Sequence, residues 1–191
     1  MSALVVRSNA YREPQDYEKL GGMLMPMARP NMNHGKIANR VNYQFMNYFS
    51  GGAYEVFYEP DVFLGDDNVI PDIAVVGNPE IIKRDGIYGA PDIVVEVLSP
   101  STRKRDMGYK KDLYEQSGVG EYWIVDTDSK SVDIYINDGQ RYRLEVSCAI
   151  VPDYAIKRMT EEELAKVEYS FKSPKFSDME VVLAELFEGI E

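Results

Sequence analysis

The chain has 191 residues, of which 45% are hydrophobic and 28% are charged, and its formal net charge is −11. This size and composition are typical of a globular protein with a substantial core, and we expect a single domain over residues 1–191. Acidic side chains outnumber basic ones by 32 to 21, which disfavours general binding to polyanions, because such binding needs Lys and Arg to neutralise phosphates.

Two further classes of protein are disfavoured by the sequence. It contains no apolar run of 18 residues, and its first residues lack a basic leader followed by a long apolar segment. We therefore expect neither a membrane span nor a secretion signal, and predict a cytoplasmic protein. The single Cys148 and single His34 exclude an intramolecular disulfide and a structural zinc site.

The N-terminal part predicts an arm, a strand and a helix. Residues 1–19 are mixed and polar, which predicts an arm or a short helix. The glycine pair that opens Gly21–Met27 precedes a first predicted strand. Asn31–His34 supply N-cap candidates for a helix that runs to about Phe49, and Gly51 follows as a stop signal.

Short apolar runs between turn formers predict a mixed sheet of roughly six to nine strands. The turn formers include Gly65–Asn68 and a Gly-rich and Pro-rich loop after Val76. Asp138-Gly139 is a strong hairpin signal. The predicted strands are Tyr54–Tyr58, Val62–Leu64, Pro71–Val76, Ile93–Leu98, Glu121–Asp126, Val132–Ile136 and Tyr142–Val146.

Helical signals alternate with these strands. Asp106–Ser117 has an apolar stripe and is followed by Gly118, so it predicts a helix that crosses over between two strands. Thr160–Glu163 begins a helical turn, and Met179–Phe187 predicts a strand or a short amphipathic helix. The predicted fold class is α/β (α+β), with a mixed sheet flanked by helices.

Glu96 is the most unusual residue, because it lies inside an apolar strand. Burying an ionised side chain costs several kcal/mol unless the group is paired or binds a metal. If the strand that begins at Asp72 is its neighbour, two carboxylates meet at one end of the sheet and could hold Mg²⁺ with a backbone carbonyl and waters. The alternatives are a turn role for Asp72 and a structural ion pair for Glu96.

Lys110 lies about one turn into the helix that follows Glu96. From there its ammonium could act on a metal-bound water or stabilise negative charge in a transition state. The spacing to Asp106 equally suits an ordinary surface ion pair. The basic cluster Arg103, Lys104, Arg105, Lys110 and Lys111 either forms a solvated face or contacts a ligand.

Four segments of the chain form a recognisable set. They are Pro71-Asp72, the Glu-Val-Leu-Ser-Pro-Ser-Thr run of residues 96–102, the spaced set Asp106, Lys110 and Tyr114, and the Gly-Val-Gly-Glu-Tyr-Trp-Ile-Val-Asp run of residues 118–126. Together they resemble the Uma family of restriction endonucleases, within the PD-(D/E)XK nuclease superfamily. The resemblance is dense from about residue 70 to residue 137, and Met25-Pro26 and His34-Gly35 also fit it.

This resemblance implies a restriction-endonuclease-like core and a DNA endonuclease site that depends on Mg²⁺, with Mn²⁺ as a substitute. Asp72 and Glu96 match the two acids, and they would hold the metal with the carbonyl of Val97. The superfamily pattern places a lysine at position 98, where this chain has Leu98, and Lys110 matches the lysine that replaces it.

Further roles follow from the same resemblance. His34 and Asp106 are expected to line the site, and a homodimer is expected because two copies suit the cutting of both DNA strands. Four basic residues are expected to contact the DNA backbone: Arg103, Lys104, Arg105 and Lys111.

Two alternatives to a DNA endonuclease remain at this level. The first is a catalytically inactive protein of nuclease fold that acts as a binding or interaction module, which the net charge of −11 would suit. The second is a hydrolase of small phosphate esters that uses the same carboxylates.

Overall fold

The computed structural model describes residues 17–27 and 30–190. Within these residues the chain forms fourteen strands, six α-helices, a π-helical turn at Asp106–Lys110 and a 3₁₀ turn at Pro79–Ile81. The strands are β1 Tyr17–Leu20, β2 Met23–Pro26, β3 Glu55–Tyr58, β4 Val62–Leu64, β5 Asp67–Val69, β6 Ile73–Val76, β7 Ile82–Lys83, β8 Gly86–Tyr88, β9 Ile93–Leu98, β10 Glu121–Asp126, β11 Ser131–Asn137, β12 Tyr142–Ala149, β13 Ser170–Lys172 and β14 Glu180–Val182. The helices are α1 Met32–Tyr48, α2 Arg103–Arg105, α3 Lys111–Ser117, α4 Asp153–Ile156, α5 Glu161–Leu164 and α6 Leu183–Leu186.

The central sheet has the strand order β12-β11-β10-β9-β6-β3. Only its middle pair, β9 and β10, is parallel, and the connection between them contains α2, the π-helical turn and α3. A second sheet has the order β2-β1-β5-β4-β8-β7, and β13 pairs with β14. This mixed architecture with flanking helices confirms the predicted α+β class. The central sheet is mixed and has six strands, which agrees with the expected six to nine, and the described residues form two further sheets that the sequence did not separate from it.

The N-terminal expectation of an arm or short helix over residues 1–19 is wrong for residues 17–19, which lie in β1, whereas residues 1–16 lie outside the described part. The single strand predicted for Gly21–Met27 begins after a tight turn. Gly21 and Gly22 have φ angles of 58° and 81°, and they connect β1 to β2 as a hairpin. The second sheet also takes in Asp67 and Asn68, predicted as a turn, and parts of the predicted loop after Val76.

Helix α1 forms where the N-cap signal and the apolar spacing predict it. The Asn31 side chain accepts a hydrogen bond from the His34 N–H at 2.9 Å. Ile37, Val41 and Phe45 lie on its buried face and pack against the central sheet. The helix thus covers one face of that sheet and brings His34 to its end.

The two faces of β9 meet different surroundings. Val95 and Val97 pack in the core beneath α1, whereas Val94 and Leu98 pack in a second core that contains Tyr114 of α3. Because side chains alternate along a strand, Glu96 belongs to the same face as Val94 and Leu98. The carboxylate therefore points to the side of the sheet that the crossover helices cover.

The remaining elements fit their predictions with changed ends. The crossover helix begins at Arg103 rather than Asp106, and Gly118 ends it with a φ of 86°. The hairpin strands extend to Ser131–Asn137 and Tyr142–Ala149, and Thr160 caps α5 in a capping box. The Met179–Phe187 segment contains both predicted structures, since β14 leads directly into α6.

Candidate active site

Asp72 and Glu96 lie side by side at one end of the central sheet. The register of β6 and β9 pairs Ile73 with Val95, and one further step places Asp72 opposite Glu96. The two strands are therefore neighbours, as the sequence argument required. Beyond the last pair, the backbone N–H of Val97 donates to Asp72 Oδ2 at 2.6 Å, which fixes that carboxylate.

Lys110 reaches the same place from the π-helical turn. Its Nζ lies 2.5 Å from Glu96 Oε1, 2.8 Å from Glu18 Oε1 and 3.8 Å from Asp106 Oδ1. The side chains of Lys110 and Asp106 are each 2% exposed, so the alternative of a surface ion pair between them is wrong. The π turn directs both residues inward, and such turns often occur at functional sites.

Aromatic and aliphatic side chains pack around the buried side of the site. The Tyr114 hydroxyl donates to Glu96 Oε1 at 2.8 Å, and its ring is fully buried. Leu98, at the position of the superfamily's lysine, is buried on the same face as Glu96 and packs in the apolar core around Tyr114. An ammonium lies beside Glu96 all the same, because Lys110 reaches it from the crossover connection.

His34 borders the site through Asp72. Its Nε2 lies 3.3 Å from Asp72 Oδ2, and within the described residues its buried Nδ1 has no hydrogen-bond partner. Burial opposes the charged imidazolium, but the hydrogen bond to Asp72, together with the charges of Asp72 and Glu59, raises the pKa of His34. The structure thus places His34 in the lining of the cavity, beside Asp72.

The electrostatics of the site are dominated by burial. Burial raises the pKa of the Glu96 carboxyl well above its usual range, the ammonium of Lys110 opposes this shift, and the carboxylates of Asp106, Asp72 and Glu18 add to it. Burial also acts to lower the pKa of Lys110, but the neighbouring carboxylates outweigh it and raise that pKa. Lys110 therefore stays a charged ammonium. This favours stabilisation of negative charge over the deprotonation of a water.

Glu18 belongs to the site but was not among the predicted residues. It is fully buried on β1, where Oε1 accepts from Lys110 Nζ at 2.8 Å and from the Ile70 N–H at 3.1 Å. Its Oε2 lies 3.2 Å from Arg105 Nη2. Exposed and buried residues alternate along Tyr17–Leu20 in the structure, but one of the two buried positions holds Glu18, so the sequence contains no apolar alternation that would predict the strand.

The predicted DNA-contacting residues divide into paired and exposed ones. Arg103 Nη2 lies 2.7 Å from Asp126 Oδ1, Arg105 turns inward to Glu18, and Lys111 Nζ lies 3.5 Å from the centre of the Tyr135 ring. Lys104 is exposed. Of these four, Lys104 is the most accessible to a phosphate.

The site surrounds a cavity of about 50 Å³. That volume holds roughly three to five waters at about 10–15 Å³ each. Its lining contains five carboxylates and three basic side chains, namely Glu18, Glu59, Asp72, Glu96 and Asp106 with His34, Arg105 and Lys110. An excess of acidic groups at a wet site favours a divalent cation.

The donor set fits Mg²⁺ rather than a metal that needs many protein ligands. Within the described residues, no group of three or more His, Cys, Asp or Glu side chains is arranged to hold a metal. Mg²⁺ is usually held by one or two carboxylates together with waters. Asp72 and Glu96 supply two such carboxylates, and Val97, whose carbonyl is the third expected ligand, lines the same cavity. Val97 and His34 contact Asp72 through Oδ2. Lys110 and Tyr114 contact Glu96 through Oε1. These four contacts do not involve the second oxygen of either carboxylate.

Comparison with known proteins gives a family and a fold. A family model, Uma2, described as "Putative restriction endonuclease", matches residues 8–156. "Uncharacterized protein slr1290" of Synechocystis sp. is 30% identical over 128 residues, which cover 65% of this chain and 67% of that protein.

A crystal structure described as "a putative nuclease belonging to DUF820", from Anabaena variabilis, matches the fold with a TM-score of 0.68 at 19% identity. The match covers 93% of this chain and 92% of that chain. Among the described residues, none of the helices is both long and apolar enough to span a membrane. The predicted family and the predicted nuclease-like fold are confirmed.

Proposed function

The chain belongs to the Uma2 family of restriction-endonuclease-like proteins, and on that premise we propose that it is a metal-dependent nuclease that hydrolyses phosphodiester bonds of DNA. The observation that carries the proposal is the meeting of Asp72 and Glu96 at one sheet end with Lys110 Nζ 2.5 Å from Glu96 Oε1. Two acids and an ammonium in that relation match the parts that the reaction needs.

Each residue has a distinct role in this proposal. Asp72, Glu96 and the carbonyl of Val97 would hold Mg²⁺, or Mn²⁺ in its place. When bound, the metal supplies a Lewis acid for the phosphoryl oxygen and a water of lowered pKa. Lys110, as a permanent cation, stabilises the negative charge that develops on the phosphoryl group.

His34 has a supporting role on the other side of Asp72. With its raised pKa the imidazole can hold a proton 3.3 Å from Asp72 Oδ2. A charged His34 would help to orient that carboxylate. Asp106, 3.8 Å from Lys110, adds negative charge beneath the ammonium.

The size of the cavity favours a polymer over a small ester. Sites for small molecules usually enclose them in about 300–1,000 Å³, and this cavity measures about 50 Å³. A phosphodiester can instead lie across the cavity mouth with the rest of the DNA outside. Exposed Lys104 is the residue best placed in the basic cluster to contact a backbone phosphate.

A nuclease assay tests the proposal. Wild-type protein is incubated with supercoiled, linear duplex and single-stranded DNA, each with Mg²⁺ or Mn²⁺, beside Glu96→Gln and Lys110→Ala. We expect cleavage of at least one DNA form by the wild type and a loss of at least a hundredfold in both variants. Glu162→Gln, at an exposed position of α5, is the matched control and should cleave like the wild type.

Two results would overturn the proposal. One is a folded wild-type protein that leaves every DNA form intact with either metal, which would favour the binding-module alternative. The other is wild-type activity in Glu96→Gln, since that variant removes the charge of a proposed metal ligand. We also propose that the protein is a homodimer, because two copies suit the cutting of both DNA strands, and light scattering of the same sample tests this.

A further inference from the structure

Glu18 has no role in the mechanism above, yet it makes the contacts that hold Lys110. We propose that Glu18 is a positioning residue, which aims the ammonium of Lys110 at the Asp72 and Glu96 pair. This inference rests on the proposed nuclease function for its catalytic meaning. Its geometric part concerns only the contacts between β1 and the π-helical turn.

The carboxylate of Glu18 is itself held rigidly. Oε1 accepts a hydrogen bond from the backbone N–H of Ile70 at 3.1 Å, and a backbone donor between two strands cannot turn away. Oε2 lies 3.2 Å from Arg105 Nη2. The residue is fully buried, and contacts between charged groups are stronger in such a medium of low dielectric than in bulk water.

Two cations of the protein flank the Glu18 carboxylate. Oε1 contacts Lys110 Nζ at 2.8 Å, and Oε2 forms an ion pair with Arg105 Nη2 at 3.2 Å, although Oε2 accepts no hydrogen bond from the described residues. The charge of Glu18 is therefore compensated within the protein. Such a carboxylate is well suited to orient a neighbouring ammonium.

Lys110 needs such a partner because its other partner has a second task. Glu96 Oε1, at 2.5 Å, belongs to a carboxylate proposed to bind the metal, and Asp106 is more distant at 3.8 Å. A bound cation draws charge density from Glu96 and weakens its hold on the ammonium. Glu18, at 2.8 Å and outside the metal set, remains as the anionic anchor.

The position of Glu18 on β1 provides a matched control. Glu18 and Leu20 are the two buried residues of that strand, and both lie on its inner face. Leu20 packs among apolar residues of the second sheet's core. Leu20→Ala therefore weakens the packing of β1 without removing a partner of Lys110.

The kinetic test compares Glu18→Gln with Leu20→Ala on the DNA form that the wild type cleaves. Glutamine keeps an oxygen for Ile70 and removes the charge that faces Lys110. We expect kcat to fall at least tenfold in Glu18→Gln with KM changed less than twofold. In Leu20→Ala, at a temperature where it is folded, kcat should stay within twofold of wild type.

The positioning role is overturned if Glu18→Gln keeps the wild-type kcat, or if kcat falls equally in Leu20→Ala. A rise in KM alone, with kcat unchanged, also overturns it, because a residue that positions the ammonium acts on the chemical step. These outcomes differ from a failure of the nuclease proposal, in which the wild type itself is inert.

A spectroscopic test applies even to an inert protein. In ¹⁵N-lysine-labelled protein, an ammonium buried between two carboxylates exchanges slowly with water and gives a sharp ¹⁵N–¹H signal, which Lys110→Arg assigns by its disappearance. We expect Glu18→Gln to shift or broaden this signal and Leu20→Ala to preserve it. An unchanged signal in Glu18→Gln would show that Glu18 does not hold Lys110.

Discussion

Lys110 Nζ lies 2.5 Å from Glu96 Oε1, and the two side chains are 2% and 5% exposed. The lysine belongs to a helix and the glutamate to a strand, so their meeting depends on how the crossover packs on the sheet. It explains how a chain with leucine at position 98 still presents an ammonium to the acidic pair. Both side chains are buried, so the charge of each must be compensated by a partner of opposite charge.

Removal of Lys110 should therefore destabilise the protein strongly. Lys110→Met leaves Glu18 and Glu96 buried without their main cation, and breaking a buried pair in this way costs about 3–5 kcal/mol. Urea denaturation measures the free energy of unfolding. Lys104→Met, at an exposed position of α2, should change it by no more than about 0.5 kcal/mol. Equal stability of the two variants would contradict the buried network.

The metal affinity should depend on Asp72 more than on any exposed acid. Asp72→Asn keeps an oxygen that can accept from the Val97 N–H, so the fold should persist, but it removes one of the two anionic ligands. We expect at least a tenfold weaker Mn²⁺ affinity by isothermal titration calorimetry. Asp66→Asn, at an exposed turn, should bind like the wild type. If Asp72→Asn binds Mn²⁺ as tightly, the metal is held elsewhere.

Lys104 should contribute to DNA binding through charge alone. Each phosphate contact adds about 0.9 to the slope of log affinity against log salt. Lys104→Ala should lower that slope by about this amount in fluorescence anisotropy, measured with Ca²⁺ in place of Mg²⁺. Arg103→Ala should have a smaller effect, because Arg103 already pairs with Asp126 at 2.7 Å. Lys166→Ala, at an exposed position distant in sequence, is the control. If it lowers the slope as much as Lys104→Ala does, the attraction between the protein and DNA is not specific to the basic cluster.

The thiol of Cys148 should react slowly at neutral pH, and its reaction rate should rise only at a higher pH than for an exposed thiol. Burial raises its pKa from an ordinary value of 9.0 to about 11, and the charges of Glu168 and Asp133 act in the same direction. Because the folded value is the higher one, the thiol contributes stability that is complete below about pH 9 and is lost as pH rises through about 11. The rate of reaction with Ellman's reagent should rise through about pH 11 in the native protein and through about pH 9 in urea, where the thiol has its ordinary pKa. Equal rates at pH 8 in both states would contradict this.

Two glycine substitutions should have opposite signs. Gly118 ends α3 with a φ of 86°, so Gly118→Ala strains the backbone and should cost about 1 kcal/mol. Gly35 lies inside α1, and a Cβ there meets nothing within 4 Å. Gly35→Ala should therefore stabilise the protein by up to about 1 kcal/mol. Thermal unfolding of the two variants measures the difference, and equal signs would show that the backbone angles are not what separates them.

Much of the site could be predicted from local patterns. Glu96 is conspicuous because a buried strand rarely contains an acid, and the turn before Ile73 marks Asp72 as the start of a strand. The helix from Asn31 and the crossover after Glu96 follow from caps and stop signals. These features depend on neighbours within a few residues, which is why sequence periodicity predicts them.

Glu18 could not be predicted in the same way. Its segment is short and contains no strong apolar alternation, and its partners Ile70, Arg105 and Lys110 are far away in sequence. The ion pair between Arg105 and Glu18 could not be predicted for the same reason. A basic stretch of sequence is the same whether its side chains form an exposed cluster or a buried ion pair. The π turn that brings Asp106 and Lys110 inward likewise depends on packing.

The sequence by itself predicted the α+β class, the family, the candidate acids Asp72 and Glu96, and the candidate lysine Lys110. Tertiary structure alone decided that Asp72 and Glu96 are adjacent and that Lys110 is buried between Glu96 and Glu18. It also decided that part of the basic cluster forms ion pairs within the protein, as Arg103 does with Asp126. The physical reason is that secondary structure follows from local sterics and periodicity. The partner of a charged side chain depends instead on which distant elements pack together and exclude water.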